Sequence, residues 1–141
     1  MKPILAIELL ILIFAHKATF GQDNLQIPEA TLKNFSSNYI SATEIKWKRD
    51  TGNFWRADFY MNGQTHSAFF SDNLWFKTET DTTKEKVPPI VQLTLQRQYE
   101  GYVVGQIKWV TTADKSEYFE VFLENKSEKK LIRLSNRGQT F

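Results

Sequence analysis

The chain contains no cysteine, which excludes disulfides, thiol chemistry and a lipid-bearing N-terminal cysteine. Its two histidines, His16 and His66, are too few for a typical zinc site when no thiolate can join them. Six glycines are scattered at turn-like positions and form no phosphate-cradling loop. The 18 Lys and Arg against 16 Asp and Glu leave a formal charge of only +2, so composition gives no general pull toward nucleic acid. Long apolar runs are also lacking. Residues 4–15 (ILAIELLILIFA) would rise about 18 Å as a helix against a hydrocarbon core of about 30 Å.

That short run fits another role. It follows Met1-Lys2-Pro3, contains one charge at Glu8, and gives way to a polar segment ending Thr19-Phe20-Gly21, the layout of a secretory signal peptide. The sequence therefore predicts a signal peptide over 1–21, cleavage near Gly21, and a mature protein over 22–141 that is periplasmic or secreted. No permanent membrane span remains after cleavage. Loss of Lys2, Glu8 and Lys17 lowers the formal charge to +1. Without disulfides, an exported chain of this kind is held by its core alone.

What is present is repetition. Ile45-Lys46-Trp47 returns as Ile107-Lys108-Trp109 at an offset of 62, and downstream the best alignment drifts to 64, as a two-residue loop insertion would cause. Upstream of each copy, Ile27-Pro28 leads into Leu32, Phe35 and Tyr39, and Val87-Pro88-Pro89 leads into Val91, Leu95 and Tyr99. Both sets recur at the spacing of one helix face, and a proline in the first turn loses no hydrogen bond. Glycine at 101 suits the close of the second helix.

Asn62-Gly63 is the strongest short-range hairpin signal in the chain, and a two-residue turn fixes the register so that facing positions sum to 125. Trp55 then faces Phe70, Ala57 faces Ala68, Phe59 faces His66 and Met61 faces Gln64 on the core side. The 64-residue offset predicts a second hairpin with Phe119 opposite Leu134, Val121 opposite Ile132, and Glu120 opposite Arg133 outside. Thr78–Lys86 (TETDTTKEK) is polar and aromatic-free and reads as a surface connection between the halves. The fold class expected is α+β. Two tandem helix-plus-antiparallel-sheet half-repeats (α-β-β-β-β twice, about 25–79 and 87–141) pack as one domain, with the helices on one face of the sheet.

No catalytic constellation stands out. His66 is the one histidine of the mature chain; Ser67, with Asp58 or Asp72, could be imagined as its triad partners, but alternation turns Ser67 to the opposite face from His66. Lys126, Lys129 and Lys130 alternate with Glu124 and Glu128 as a solvated loop does. The outward face is richer. Phe54, Arg56, Tyr60 and Phe69 in the first half, with Tyr118 and Phe122 in the second, lie opposite the presumed core. Aromatics beside arginine are what interface centres favour; packing of these rings on one another is the plainer reading.

The ordered set of motifs resembles the PepSY-like domain family, also described as β-lactamase-inhibitor-protein-like, of small exported bacterial proteins. Val87-Pro88-Pro89-Ile90-Val91 through Tyr99-Glu100-Gly101-Tyr102 carries most of the likeness. Ile45-Lys46-Trp47, Phe70-Ser71-Asp72-Asn73 to Trp75, Thr78-Glu79, and Leu134 to Gly138 add to it. The sequence departs from the family at Ile40 and Glu100, where proline is common, and at Asn73, where glycine is usual. The resemblance implies a non-enzymatic extracytoplasmic protein whose open sheet face could hold a protein partner, without cofactor, and it supplies no site residues. The alternative is a small-ligand carrier or enzyme with a pocket between helix and sheet near His66.

Overall fold

A computed structural model describes residues 25–141. The expected signal peptide, 1–21, lies outside the described residues. The element order is α1 (Glu29–Asn38), β1 (Thr43–Arg49), β2 (Phe54–Met61), β3 (Gln64–Ser71) and β4 (Leu74–Thr82). A 3₁₀ turn (Lys84–Lys86) follows, then α2 (Pro89–Gln98), β5 (Val103–Thr112), β6 (Glu117–Glu124) and β7 (Lys129–Leu134).

The seven strands form one antiparallel sheet in the order β1-β2-β3-β4-β5-β6-β7, each paired with its neighbour in sequence. The turns explain that simplicity. Asn62 and Gly63 have φ of 53° and 77°, and Asp72 and Asn73 have φ of 48° and 68°. Two positive-φ residues in a two-residue loop match the right-handed twist of the strands they join. The register follows: Trp55 pairs with Phe70, Ala57 with Ala68 and Phe59 with His66. In the last hairpin Phe119 pairs with Leu134, Val121 with Ile132 and Glu120 with Arg133.

The expected α+β class, two helix-plus-sheet half-repeats, is corrected by this architecture. The fold is dominated by a single sheet with two ten-residue helices, because β4 and β5 pair continuously from Lys77–Thr112 to Thr82–Ile107. An unpaired edge on either strand would expose a row of backbone donors and acceptors, and joining them removes both edges. The count of strands differs too. After β7, the Ser135 hydroxyl accepts the backbone N–H groups of Arg137 and Gln139 at 3.3 and 3.2 Å. That curls the segment, and an isolated bridge, Leu134–Thr140, stands where an eighth strand was expected. Thr78–Thr82, read from sequence as surface connection, is the second half of β4.

Two separate apolar clusters lie on one side of the sheet. Phe35 of α1 meets Trp55, Phe59 and Phe70, with ring centroids 5.1 Å apart at Phe59 and 6.4 Å at Phe70. Val91 and Leu95 of α2 meet Ile107, Val121, Leu123 and Leu134. Each helix also grips a turn through a threonine. Thr31 Oγ1 donates to Asn73 Oδ1 at 2.8 Å, and Thr94 Oγ1 donates to the Gly138 carbonyl at 2.9 Å.

Candidate functional site

Alternation along β2 to β7 leaves a second face that neither cluster covers, and all six residues singled out from sequence lie on it by register. Phe54 and Tyr60 are each 44% exposed and Phe122 is 49% exposed, while Arg56, Phe69 and Tyr118 are half-buried. The pairings bring Phe54, Arg56 and Phe69 into one corner. Phe122, paired with Leu131, sits at the opposite corner, and Tyr60 lies near the Asn62-Gly63 turn.

The first corner contains a residue that alternation alone misses. The register between β3 and β4 shifts between Phe69 and Phe70, so that Phe69 pairs with Lys77 while Phe70 pairs with Trp75. Phe76 is the extra residue of this bulge, and it joins the outer face with centroids 6.0 Å from Phe54 and 6.1 Å from Phe69. The Lys77 ammonium lies 4.4 Å and the Arg56 guanidinium 5.5 Å from the Phe69 ring. Tyr118 forms a separate group: its ring is 5.7 Å from Phe141 and lies under the Arg133 guanidinium at 5.2 Å.

Between these groups runs a lattice of ion pairs. The Asp58 carboxylate accepts from Lys48 at 2.8 Å, Arg56 at 2.5 Å and Ser67 at 2.7 Å. Glu79, only 7% exposed, is held by Lys77 and Lys108, each at 2.6 Å. Burial pushes both carboxyls up, but hydrogen bonds from Lys48, Ser67 and Arg56 outweigh it at Asp58, and those from Lys108 and Lys77 do so at Glu79. Both carboxyls therefore titrate below their ordinary values, the reverse of what a general acid needs. Glu120 accepts from Arg133 at 3.1 Å, the cross-strand pair expected from the register.

His66 lies on the other face, stacked on Phe59 at 5.3 Å. Its Nε2 is 3.0 Å from the Met61 carbonyl, which can only accept, so Nε2 carries the proton. In the neutral ring Nδ1 then accepts from the Thr80 hydroxyl at 2.9 Å. With both nitrogens occupied, and Ser67 bonded to Asp58 across the sheet, the triad imagined from sequence does not assemble. A cleft of about 300 Å³ opens beside the ring, bounded by Tyr39, Met61, Trp75, Thr78 and Thr80. A second of about 370 Å³ shares Thr80 and extends toward Trp109 and Phe119.

No protein-family profile and no curated protein matches the sequence. Solved structures do match in shape. A BLIP-like protein from Bacteroides fragilis is 25% identical, with 83% of this chain and 84% of that chain covered and a TM-score of 0.75. A DUF2874 family protein from Bacteroides uniformis is 24% identical over 81% of this chain and 86% of that chain, with a TM-score of 0.74. A Bacteroides eggerthii protein proposed to be periplasmic is 24% identical over 81% and 85%, with a TM-score of 0.73. The chain has a BLIP-like fold, and these likenesses do not extend to a PepSY family assignment.

Proposed function

We propose that the protein is an extracytoplasmic, non-enzymatic binding module that presents the open face of its sheet to a protein partner. One observation carries this reading: the exposed rings of Phe54, Tyr60 and Phe122 stand around a floor where Asp58, Glu79 and Glu120 are each paired with a cation. A partner that covers these three carboxylates leaves none of them without a cation, and the excess of Lys and Arg around them suits a partner surface that carries carboxylates. Location outside the cytoplasm is supported by the signal-peptide layout of 1–21 and by the B. eggerthii neighbour proposed to be periplasmic. Inhibitor-like action is supported by the BLIP-like neighbour, and kinship with PepSY-like domains by the motif from Val87 to Tyr102.

The test is capture of a partner from extracytoplasmic extract at low and high salt, comparing the native protein with a Phe54→Ser, Phe122→Ser variant. The expected outcome is a discrete protein retained by the native chain and lost by the variant at unchanged folding stability. Recovery of nonspecific material only, or equal capture by the variant, overturns the reading. Mass spectrometry of the exported protein should find Gln22 at its N-terminus.

A further inference from the structure

The helix-bearing face has an unusual centre. Its two apolar clusters are separated by a strip where register puts Thr78 opposite Thr111, Thr80 opposite Trp109 and Thr82 opposite Ile107. Larger apolar residues there would merge the clusters into one core; four hydroxyls leave a trough instead. Two clefts flank this strip and share Thr80 as a wall, one reaching the end of α1 at Asn38 and Tyr39, the other the start of α2 at Pro88.

We infer that this trough is a binding site for a neutral, polyhydroxylated ligand of the oligosaccharide class. Its lining decides the chemistry. Trp75 and Tyr39 stand at one end and Trp109 and Phe119 at the other, while Asn38, Gln64 and Asn136 contribute amides. Among the described residues no carboxylate lines either cleft and Lys86 is the single charged lining residue, so neither a cation nor a multiply charged anion finds complementary groups. An apolar ligand would offer no hydrogen-bond partner to the Thr82 and Thr111 hydroxyls or to the Asn136 amide. A neutral sugar lays its C–H faces on the indoles and directs its hydroxyls to threonine and amide groups.

The floor is also held in place before any ligand arrives. Thr78 Oγ1 is engaged by the Tyr39 hydroxyl and by Trp75 Nε1 at 2.9 Å, and Thr80 Oγ1 by His66 at 2.9 Å. Fixed orientation of the groups that meet a ligand lowers the entropy lost on binding. Each cleft, at about 300 and 370 Å³, lies at the lower end of the size range of small-molecule sites. This site is on the opposite side of the sheet from the proposed protein-binding face, and either reading can fail without the other.

The test follows the indole N–H resonances of the full mature chain during titration with neutral di- and trisaccharides (glucan, mannan, xylan and galactan fragments) and their uronic-acid counterparts. The expected result is saturable movement of the Trp75 and Trp109 signals with at least one neutral sugar, while Trp47 and Trp55 stay still. Affinity should fall about tenfold in Thr80→Val, the loss expected for one hydrogen bond to an occupied site, and be retained in Thr80→Ser. If Thr80→Val fails to fold, Trp109→Leu takes its place with the same expectation. No saturable shift with any neutral sugar, tighter binding of the uronic acids, or unchanged affinity in the variant overturns the inference. Phe54→Ser with Phe122→Ser should leave the sugar titration as it was.

Discussion

Thr78 shows how a small polar side chain can hold the middle of a sheet. Its oxygen meets both the Tyr39 hydroxyl and the Trp75 indole N–H, tying the end of α1 to β4. Thr78→Val keeps the shape and removes both contacts, and each group left unpartnered costs about 1–3 kcal/mol. Urea denaturation should show that loss, with Thr78→Ser recovering most of it; a Val variant as stable as the native chain would remove Thr78 from this role. The same residue explains why part of β4 was illegible in sequence. Thr78 to Thr82 contains no apolar residue, so no periodicity marks it as strand, and its place in the sheet rests on hydrogen bonds that only the assembled structure supplies. Phe76 escaped for a related reason: a bulge breaks the alternation from which its face would be read. Trp55, Phe59 and Phe70 were legible because Asn62-Gly63 fixes their register locally.

At the scale of elements, the turns decide how helix and sheet are locked. Gly138 has φ of 75°, and a Cβ there would lie 2.7 Å from Thr94 Oγ1 and 2.9 Å from the Ile90 carbonyl oxygen, so the turn after β7 is pressed directly on α2. Gly52 has φ of 72° and nothing within 4 Å of the same position. The pair makes a controlled comparison. Gly52→Ala should cost about 1–2 kcal/mol, the strain of a left-handed residue alone. Gly138→Ala adds overpacking of about 1–3 kcal/mol and should break the Thr94 hydrogen bond. Thermal unfolding of the two variants measures the difference, and equal losses would mean that the turn can move off the helix. Four strands expected in each half place a strand after this turn, because the hydroxyl that curls the chain, on Ser135, carries no distinctive pattern.

At the scale of the whole molecule, charge and chain connection set the response to conditions. Asp58 and Glu79 titrate below their ordinary values in the folded protein, because their cation partners outweigh burial. Unfolded carboxyls titrate near 4, so the contribution of these pairs to stability is complete above about pH 5 and is lost as pH falls through the unfolded and then the folded values. The urea midpoint should therefore be flat from neutrality to about pH 5 and decline below it, with a shallower decline in an Asp58→Asn, Glu79→Gln variant. An identical acid limb in native and variant proteins would place the sensitivity elsewhere. The join between β4 and β5 has a further consequence. Every other pair of neighbouring strands is closed by a short loop, whereas these two are separated by residues 83–102, including α2. The hairpins on either side can therefore form from nearby contacts, and of the strand pairings the central one alone must close over an intervening helix. Among the strand pairings that seam is therefore expected to close last, the point at which two hairpin-built stretches become one sheet.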